Sequence, residues 1–305
     1  MSKPDLKVKI GSLEFNNPIF VASGTFGYGL ESSDFVDINK LGAIVTKSLS
    51  LKPRKGNPPP RIVETPSGML NAIGLANIGV ERFLKEKLPL LNQFDTKIIA
   101  NVAASSVEEY VECVRLMTNE KIDAFEINVS CPNVHDGGLE FGTNCLKVGE
   151  ITQKTVAVST KPIIIKLTPN VTRIAEFAQV AKENGAAAVS AINTFIGMVI
   201  DITKRKPKLS HNTGGLSGPA IKPLAVAKVF QIYKEVDIPI IGIGGISNYS
   251  DVIEFLLAGA TAVQIGTHNF VEPDCTEKII SDLVKYLINN NVKSVKELIG
   301  KLQLF

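Results

Sequence analysis

Cys131 stands where a thiol can react. The run Ala124 to Val129 is short and β-prone, and Pro132 prevents it from continuing as an inner strand. The thiol therefore sits at a strand's mouth in Asn128-Val129-Ser130-Cys131-Pro132-Asn133, between two carboxamides and ahead of the loop His135-Asp136-Gly137-Gly138. Most free cysteines are small buried hydrophobes. A reactive thiol instead needs a polar, accessible setting, and this one has it. Cys113, on a helix face, and Cys145 and Cys275, after turns, read as structural.

The same arrangement recurs along the chain. Each of eight short apolar runs finishes in polar or glycine residues: Ser23-Gly24, Lys47-Ser48, Asn101, Asn128 with Cys131, Lys166, Asn193-Thr194, Gly244-Gly245 and Gly266-Thr267. One such ending is noise; eight describe a lined pocket. Lys47 and Lys166 would point their ammonium groups into it, and an unpaired buried ammonium calls for an anionic or electron-rich partner. The alternative is a lysine stem that snorkels to solvent. Asn71, Asn128, Asn133 and Asn193 offer matched donors and acceptors without charge, which suits a flat, amide-rich ligand such as a pyrimidine ring. The glycines ending runs seven and eight let backbone N–H groups approach an anion, with phosphate the natural occupant at that point of a barrel. Tight strand-to-helix turns are the plainer reading of Gly242-Ile-Gly-Gly-Ile246. His135, His211 and His268 have no partner at metal-ligand spacing, and no metal site is expected.

The elements that must hold these residues are legible as a beat. The runs are 18–22, 43–46, 97–103, 124–129, 162–167, 187–192, 238–243 and 262–265, continuous rather than alternating, as parallel strands covered on both faces require. Between them lie helical patterns: a capping box at Ser106–Glu109, Asn170 before 172–184, Asn248 before 249–258, and glycine stops at Gly185 and Gly259. An alternating pattern over 6–16 around Gly11-Ser12 predicts a preceding hairpin. Eight βα units predict an α/β (β/α)₈ TIM barrel spanning residues 1–305 as one domain, with a doubly wound sheet as runner-up. Two connections, 49–80 and 194–222, are too long to be plain turns and belong on the strands' C-terminal face, where barrel sites are built.

Composition narrows the class. The 305 residues are 45% hydrophobic and 21% charged with a net charge of +3, ordinary for a globular protein and too mild for nucleic acid. Arg54-Lys55 and Lys204-Arg205-Lys206 read as solvated loops. Four unpaired cysteines give neither a disulfide framework nor an iron–sulfur site. No apolar run approaches the ~20 residues of a spanning helix, and the polar start lacks a secretory signal. A cytoplasmic location with no membrane contact is expected.

Ala22-Ser-Gly-Thr-Phe-Gly27, Asn71-Ala-Ile-Gly-Leu75, Asn128-Val-Ser-Cys-Pro-Asn133, Gly214-Gly-Leu-Ser-Gly-Pro219 and Ile240-Ile-Gly-Ile-Gly-Gly-Ile246 together resemble dihydroorotate dehydrogenase over essentially the whole chain. The resemblance implies an FMN-containing barrel that oxidises dihydroorotate to orotate in pyrimidine (UMP) synthesis. By position, Ser23, Lys47, Ser48, Asn101, Asn128 and Lys166 match FMN-contacting residues. So do Ile192, Gly218, Gly244, Gly245, Gly266 and Thr267. Lys47, Asn71, Ala72, Ile73, Gly74, Leu75, Asn128, Asn133, Asn193 and Thr194 match substrate-contacting ones. Cys131 matches the general base, with Lys47 beside it in the catalytic set; the membrane-linked branch has serine in place of the cysteine.

Within the soluble branch, Asn133-Val-His-Asp-Gly-Gly138 is similar to the NAD-linked type. That likeness implies a homodimer core in a heterotetramer with an electron-transfer subunit carrying FAD and an iron–sulfur cluster. The fumarate-linked homodimeric type is the alternative, and a flavin barrel acting on dihydropyrimidines is a further one. Two readings from other classes are a cofactor-free Schiff-base lyase using Lys166 and a flavin-binding interaction subunit. The expected chemistry is removal of the C5 proton by Cys131 as hydride leaves C6, with loop 134–142 closing over the site.

Overall fold

Strands covered on both faces read as unbroken apolar runs, and all eight runs form such strands. The structure is a computed structural model that describes residues 3–130 and 141–305. The barrel strands are β1 (Ile19–Val21), β2 (Ala43–Val45), β3 (Lys97–Val102), β4 (Ala124–Asn128), β5 (Ile163–Leu167), β6 (Ala188–Ala191), β7 (Ile240–Ile243) and β8 (Ala262–Ile265). Every residue of β1, β2 and β4 to β8 is buried. All neighbours pair parallel in sequence order, and β8 closes on β1 through Val263↔Ile19 and Ile265↔Val21. A doubly wound sheet has open edges; this one has none.

Helices α1 (Val107–Met117), α2 (Cys145–Val158), α3 (Ile174–Glu183), α4 (Lys222–Glu235), α5 (Tyr249–Leu257) and α6 (Cys275–Asn289) follow β3 to β8. The first connection departs from the βα beat: two short 3₁₀ turns, Leu30–Ser32 and Ile38–Lys40, stand where a helix was expected. The N-terminal hairpin Val8–Ile10/Leu13–Phe15 forms as predicted. Its Phe15 ring packs on Phe20 of β1 at 4.7 Å between centroids.

The caps divide by how local they are. Asn248 makes the full capping box with Asp251 at the start of α5. Ser106 accepts the Glu109 N–H at 3.2 Å, but the Glu109 carboxylate takes the Ser105 N–H instead of returning to Ser106. Asn170 caps nothing. Helix α3 begins at Ile174 after Arg173, and the Asn170 amide bonds the Thr194 carbonyl and the Ile196 N–H, tying two strand exits together.

The two long connections pair with each other. Strands from the first (Ile62–Thr65, Gly68–Asn71) and the second (Phe195–Gly197, Gly214–Ser217) make one four-stranded antiparallel sheet, joined through Gly215↔Asn71 and Ser217↔Met69. Because both connections leave the C-terminal ends of β2 and β6, this sheet stands on that face of the barrel, as expected. Lys204 to Lys206 are exposed as expected. Arg54 is not: its guanidinium bonds Ser105 at 2.6 Å and Glu109 at 3.3 Å, anchoring the first connection to α1.

Candidate active site

Side chains alternate along a strand, so residues two apart share a face. Glu126 and Asn128 of β4 therefore look the same way, as do Ile164 and Lys166 of β5. Asn128 is at the strand's exit, paired in register with Lys166, which is paired in turn with Ser190 of β6. The Asn128 side-chain oxygen accepts from the Asn193 amide at 3.0 Å and from the Ser130 N–H at 3.2 Å. Asn193 in turn accepts the Thr194 N–H at 2.7 Å. The buried Tyr110 of α1 donates its hydroxyl to the Asn128 carbonyl at 2.6 Å, fixing where β4 ends. Ser23 and Ser48, after β1 and β2, place their hydroxyls 3.3 Å apart.

Lys47 follows β2 and is held by its backbone N–H on the Gly27 carbonyl at 2.8 Å. Its ammonium makes no ion pair or hydrogen bond among the described residues. Burial pushes its pKa below the ordinary lysine value, against the opposing pull of Glu31. A buried lysine is expected to await an electron-rich partner, and among the described residues Lys47 has none. Lys166 departs from it, because its ammonium has an internal partner, the Glu126 carboxylate at 3.5 Å.

Asn71 to Leu75 hang from the accessory sheet. The Asn71 amide donates to the Gly215 carbonyl at 3.3 Å, and the Asn57 amide donates to the Ala72 carbonyl at 3.0 Å. Ile73 accepts from the Asn57 N–H, and Leu75 from the Asn77 amide at 2.7 Å. These bonds hold Leu75 at φ 57°, a conformation that costs a branched residue about 1–2 kcal/mol and persists only where neighbours impose it. Gly215 is required by close approach: a Cβ there would lie 2.1 Å from the Thr194 hydroxyl.

At the exits of β7 and β8, Gly244 and Gly245 turn at φ 132° and 71°, and Gly266 precedes Thr267, whose hydroxyl bonds Ser217 at 2.8 Å. Gly218 lies against this turn, its carbonyl 2.9 Å from where a Gly245 Cβ would be. Ile192 is buried, with its N–H on the Ile243 carbonyl at 3.0 Å.

The glycine turn is buttressed by Asp251. Its carboxylate accepts from the Lys222 ammonium at 2.7 Å and from the Ser247 N–H and hydroxyl, both at 2.8 Å. Burial alone would raise this carboxyl, but Lys222 and Ser247 outweigh it and the pKa falls below the usual aspartate value of 3.8. Asp251→Asn is expected to cost about 1–3 kcal/mol of stability at neutral pH, measurable by thermal or urea melts. The folded pKa is the depressed one. The contribution is thus complete above the unfolded value and is lost as pH falls through the folded one, so wild type and variant converge in strong acid.

Cys131, Asn133, His135 and Asp136 lie outside the described residues, as does most of the loop 134–142. The other cysteines behave as structural: burial pushes the thiols of Cys113 and Cys275 up to about 12 and raises that of Cys145. Among the described residues no three His, Cys, Asp or Glu side chains are grouped to hold a metal ion. No helix among them is long and apolar enough to cross a membrane.

Sequence reasoning missed a buried polar group inside the barrel: Glu126 with Ser190 and Gln264. Its signal was available, since a glutamate, a serine and a glutamine interrupt otherwise apolar strands. Glu126 stands two residues before a site asparagine.

A closed barrel with charged and carboxamide side chains gathered at its C-terminal mouth is the architecture of a barrel enzyme. Residues 5–287 match the family model described as dihydroorotate dehydrogenase. The catalytic subunit of dihydroorotate dehydrogenase B (NAD(+)) from Geotalea daltonii is 50% identical over 305 residues, covering all of both chains. The protein of the same name from Parabacteroides distasonis is 51% identical over 98% of this chain and 99% of its own. An Aquifex aeolicus relative, provisionally named dihydroorotate dehydrogenase A (fumarate), is 53% identical over 97% of this chain and 98% of its own. The chain belongs to the dihydroorotate dehydrogenase family, whose members are flavoprotein oxidoreductases.

Proposed function

We propose that this chain, acting in the cytoplasm as one catalytic domain, oxidises dihydroorotate to orotate with FMN and passes the electrons to NAD. The relay is a partner subunit carrying FAD and an iron–sulfur cluster, around a homodimer of this chain. The observation that supports the reading is the mouth itself, where Lys47, Asn128, Lys166 and Asn193 stand at four strand exits and the Lys47 ammonium has no partner among the described residues.

A flavin fits the residues present. Among the described residues the Lys47 ammonium has no partner and the buried side-chain oxygen of Asn101 accepts no hydrogen bond. A Cβ on Gly24 would meet nothing within 4 Å and one on Gly266 only Ala22, so the mouth has room above both. Ser23, Ser48, Asn101 and Lys166 would hold the ring system, with Ile192 against it. Gly218, Gly244, Gly245, Gly266 and Thr267 would hold the phosphate. When bound, FMN supplies the hydride acceptor.

The chain's own residues do the rest. Asn71, Asn128, Asn133 and Asn193 bind the edges of the substrate ring, with Ala72 to Leu75 and Thr194 completing its enclosure. Lys47 neutralises negative charge that develops as the substrate is oxidised. Cys131 accepts the C5 proton.

The fumarate-linked alternative has one specific support, the name of the Aquifex aeolicus relative. Purified chain with an artificial dye is expected to oxidise dihydroorotate and not dihydrouracil; dye reduction by dihydrouracil alone would reject the substrate. Fumarate reduction by the isolated chain, at the rate seen with the dye, would replace NAD as the acceptor.

A further inference from the structure

The carboxylate of Glu126 sits inside the barrel with no solvent exposure, and four side chains from four other strands converge on it. Asn101 of β3 donates to one oxygen at 2.6 Å, and the Lys166 ammonium of β5 lies 3.5 Å from the same oxygen. Ser190 of β6 and Gln264 of β8 donate to the other at 2.8 and 2.6 Å. In the closed order β6-β7-β8-β1-β2-β3-β4-β5, β8 lies opposite β4, so a bond between Glu126 and Gln264 crosses the interior and brings the carboxylate close to the barrel axis. Glu126 is also two residues before Asn128, about 6–7 Å below the mouth on the same face. All of these partners donate and none accepts, which matches an ionised carboxylate.

A buried carboxylate without a cation is costly, and so is a buried ammonium without an anion. Glu126 and Lys166 supply each other, which fixes the position of Lys166 at the mouth and cancels part of its field. We infer that Glu126 is a positioning residue that holds Lys166 under the flavin and, as its counter-charge, limits how strongly that lysine stabilises negative charge on the ring. This rests on the reading of the mouth as a flavin site. Asn101 belongs to both sites, since its amide is committed to Glu126 while its oxygen accepts no hydrogen bond among the described residues.

Sulfite is the probe. It adds through sulfur to N5 of an oxidised flavin, and its electron pair leaves the ring anionic without turnover, so its affinity reads the positive charge beneath the ring. The holoprotein is titrated at a single pH of about 6.5 for every variant. Glu126→Gln is expected to bind sulfite about tenfold more tightly than wild type, and to raise the two-electron potential by the ~30 mV that a tenfold change represents. Lys166→Met should bind it more weakly than wild type.

Should Glu126→Gln alone not fold, because it strands a buried ammonium, the double variant Glu126→Gln/Lys166→Met carries neither charge. It is then compared with Lys166→Met and is expected to bind sulfite about tenfold more tightly. Unchanged sulfite affinity on removing the carboxylate, in either background, overturns the inference. Wild-type protein without flavin overturns the flavin reading instead, and is recognised before any variant is made.

Discussion

Cys131→Ala is expected to give a protein that holds flavin and binds orotate but oxidises dihydroorotate about 10²–10⁴-fold more slowly, the usual contribution of a positioned general base. The substitution removes one sulfur atom and no charge from the flavin or substrate contacts proposed here, so the loss should fall on kcat rather than on orotate affinity. The pH profile gives a second readout. An ordinary cysteine thiol has a pKa of about 8.5, and only the thiolate accepts a proton. Wild-type kcat/KM should therefore climb with pH through that region, and the residual rate of the variant should not. Stopped-flow rates of flavin reduction across pH 6–10 measure both; a variant with full activity, or one that keeps the rising limb, would reject the base.

The second large effect is expected at Lys47. Its ammonium is half-buried, without an ion pair or hydrogen bond among the described residues, and depressed in pKa by desolvation against the pull of Glu31, so an anionic ligand at the mouth would be stabilised by it. Lys47→Met keeps the stem and removes the charge. It should lower kcat/KM about 10²–10³-fold, the magnitude typical of deleting one donor aimed at developing negative charge. Because the free-enzyme pKa lies below 10.5, wild-type kcat/KM should begin to fall on the alkaline side before the ordinary lysine range is reached. That limb disappears in the variant. Steady-state kinetics against pH distinguish this from a purely structural role, which would lower the melting temperature and leave the limb in place.

Both predictions depend on residues that a reader of the sequence could find, and the reasons are physical. A parallel strand covered on both faces must be apolar throughout, so the end of the run marks the mouth, and the polar residue at the end marks the site. Asn248 was legible as a cap because its partners are two and three residues away. Asn170 was not, because what it bonds, Thr194 and Ile196, lies on another strand's exit. The accessory sheet was hidden for the same reason: the register of Asn71 against Gly215 joins segments far apart in sequence. The internal partner of Lys166 escaped notice because a lone glutamate inside an apolar run declares its neighbours only once the barrel closes around it.

The central claim is that the polar strand exits grip a flavin against dihydroorotate. Anaerobic addition of dihydroorotate to the purified protein, followed by visible absorption, tests it most directly. An oxidised flavin spectrum that bleaches on mixing is expected, with orotate formed in equal amount. Protein that carries no flavin, or flavin that stays oxidised in the presence of dihydroorotate, would contradict it.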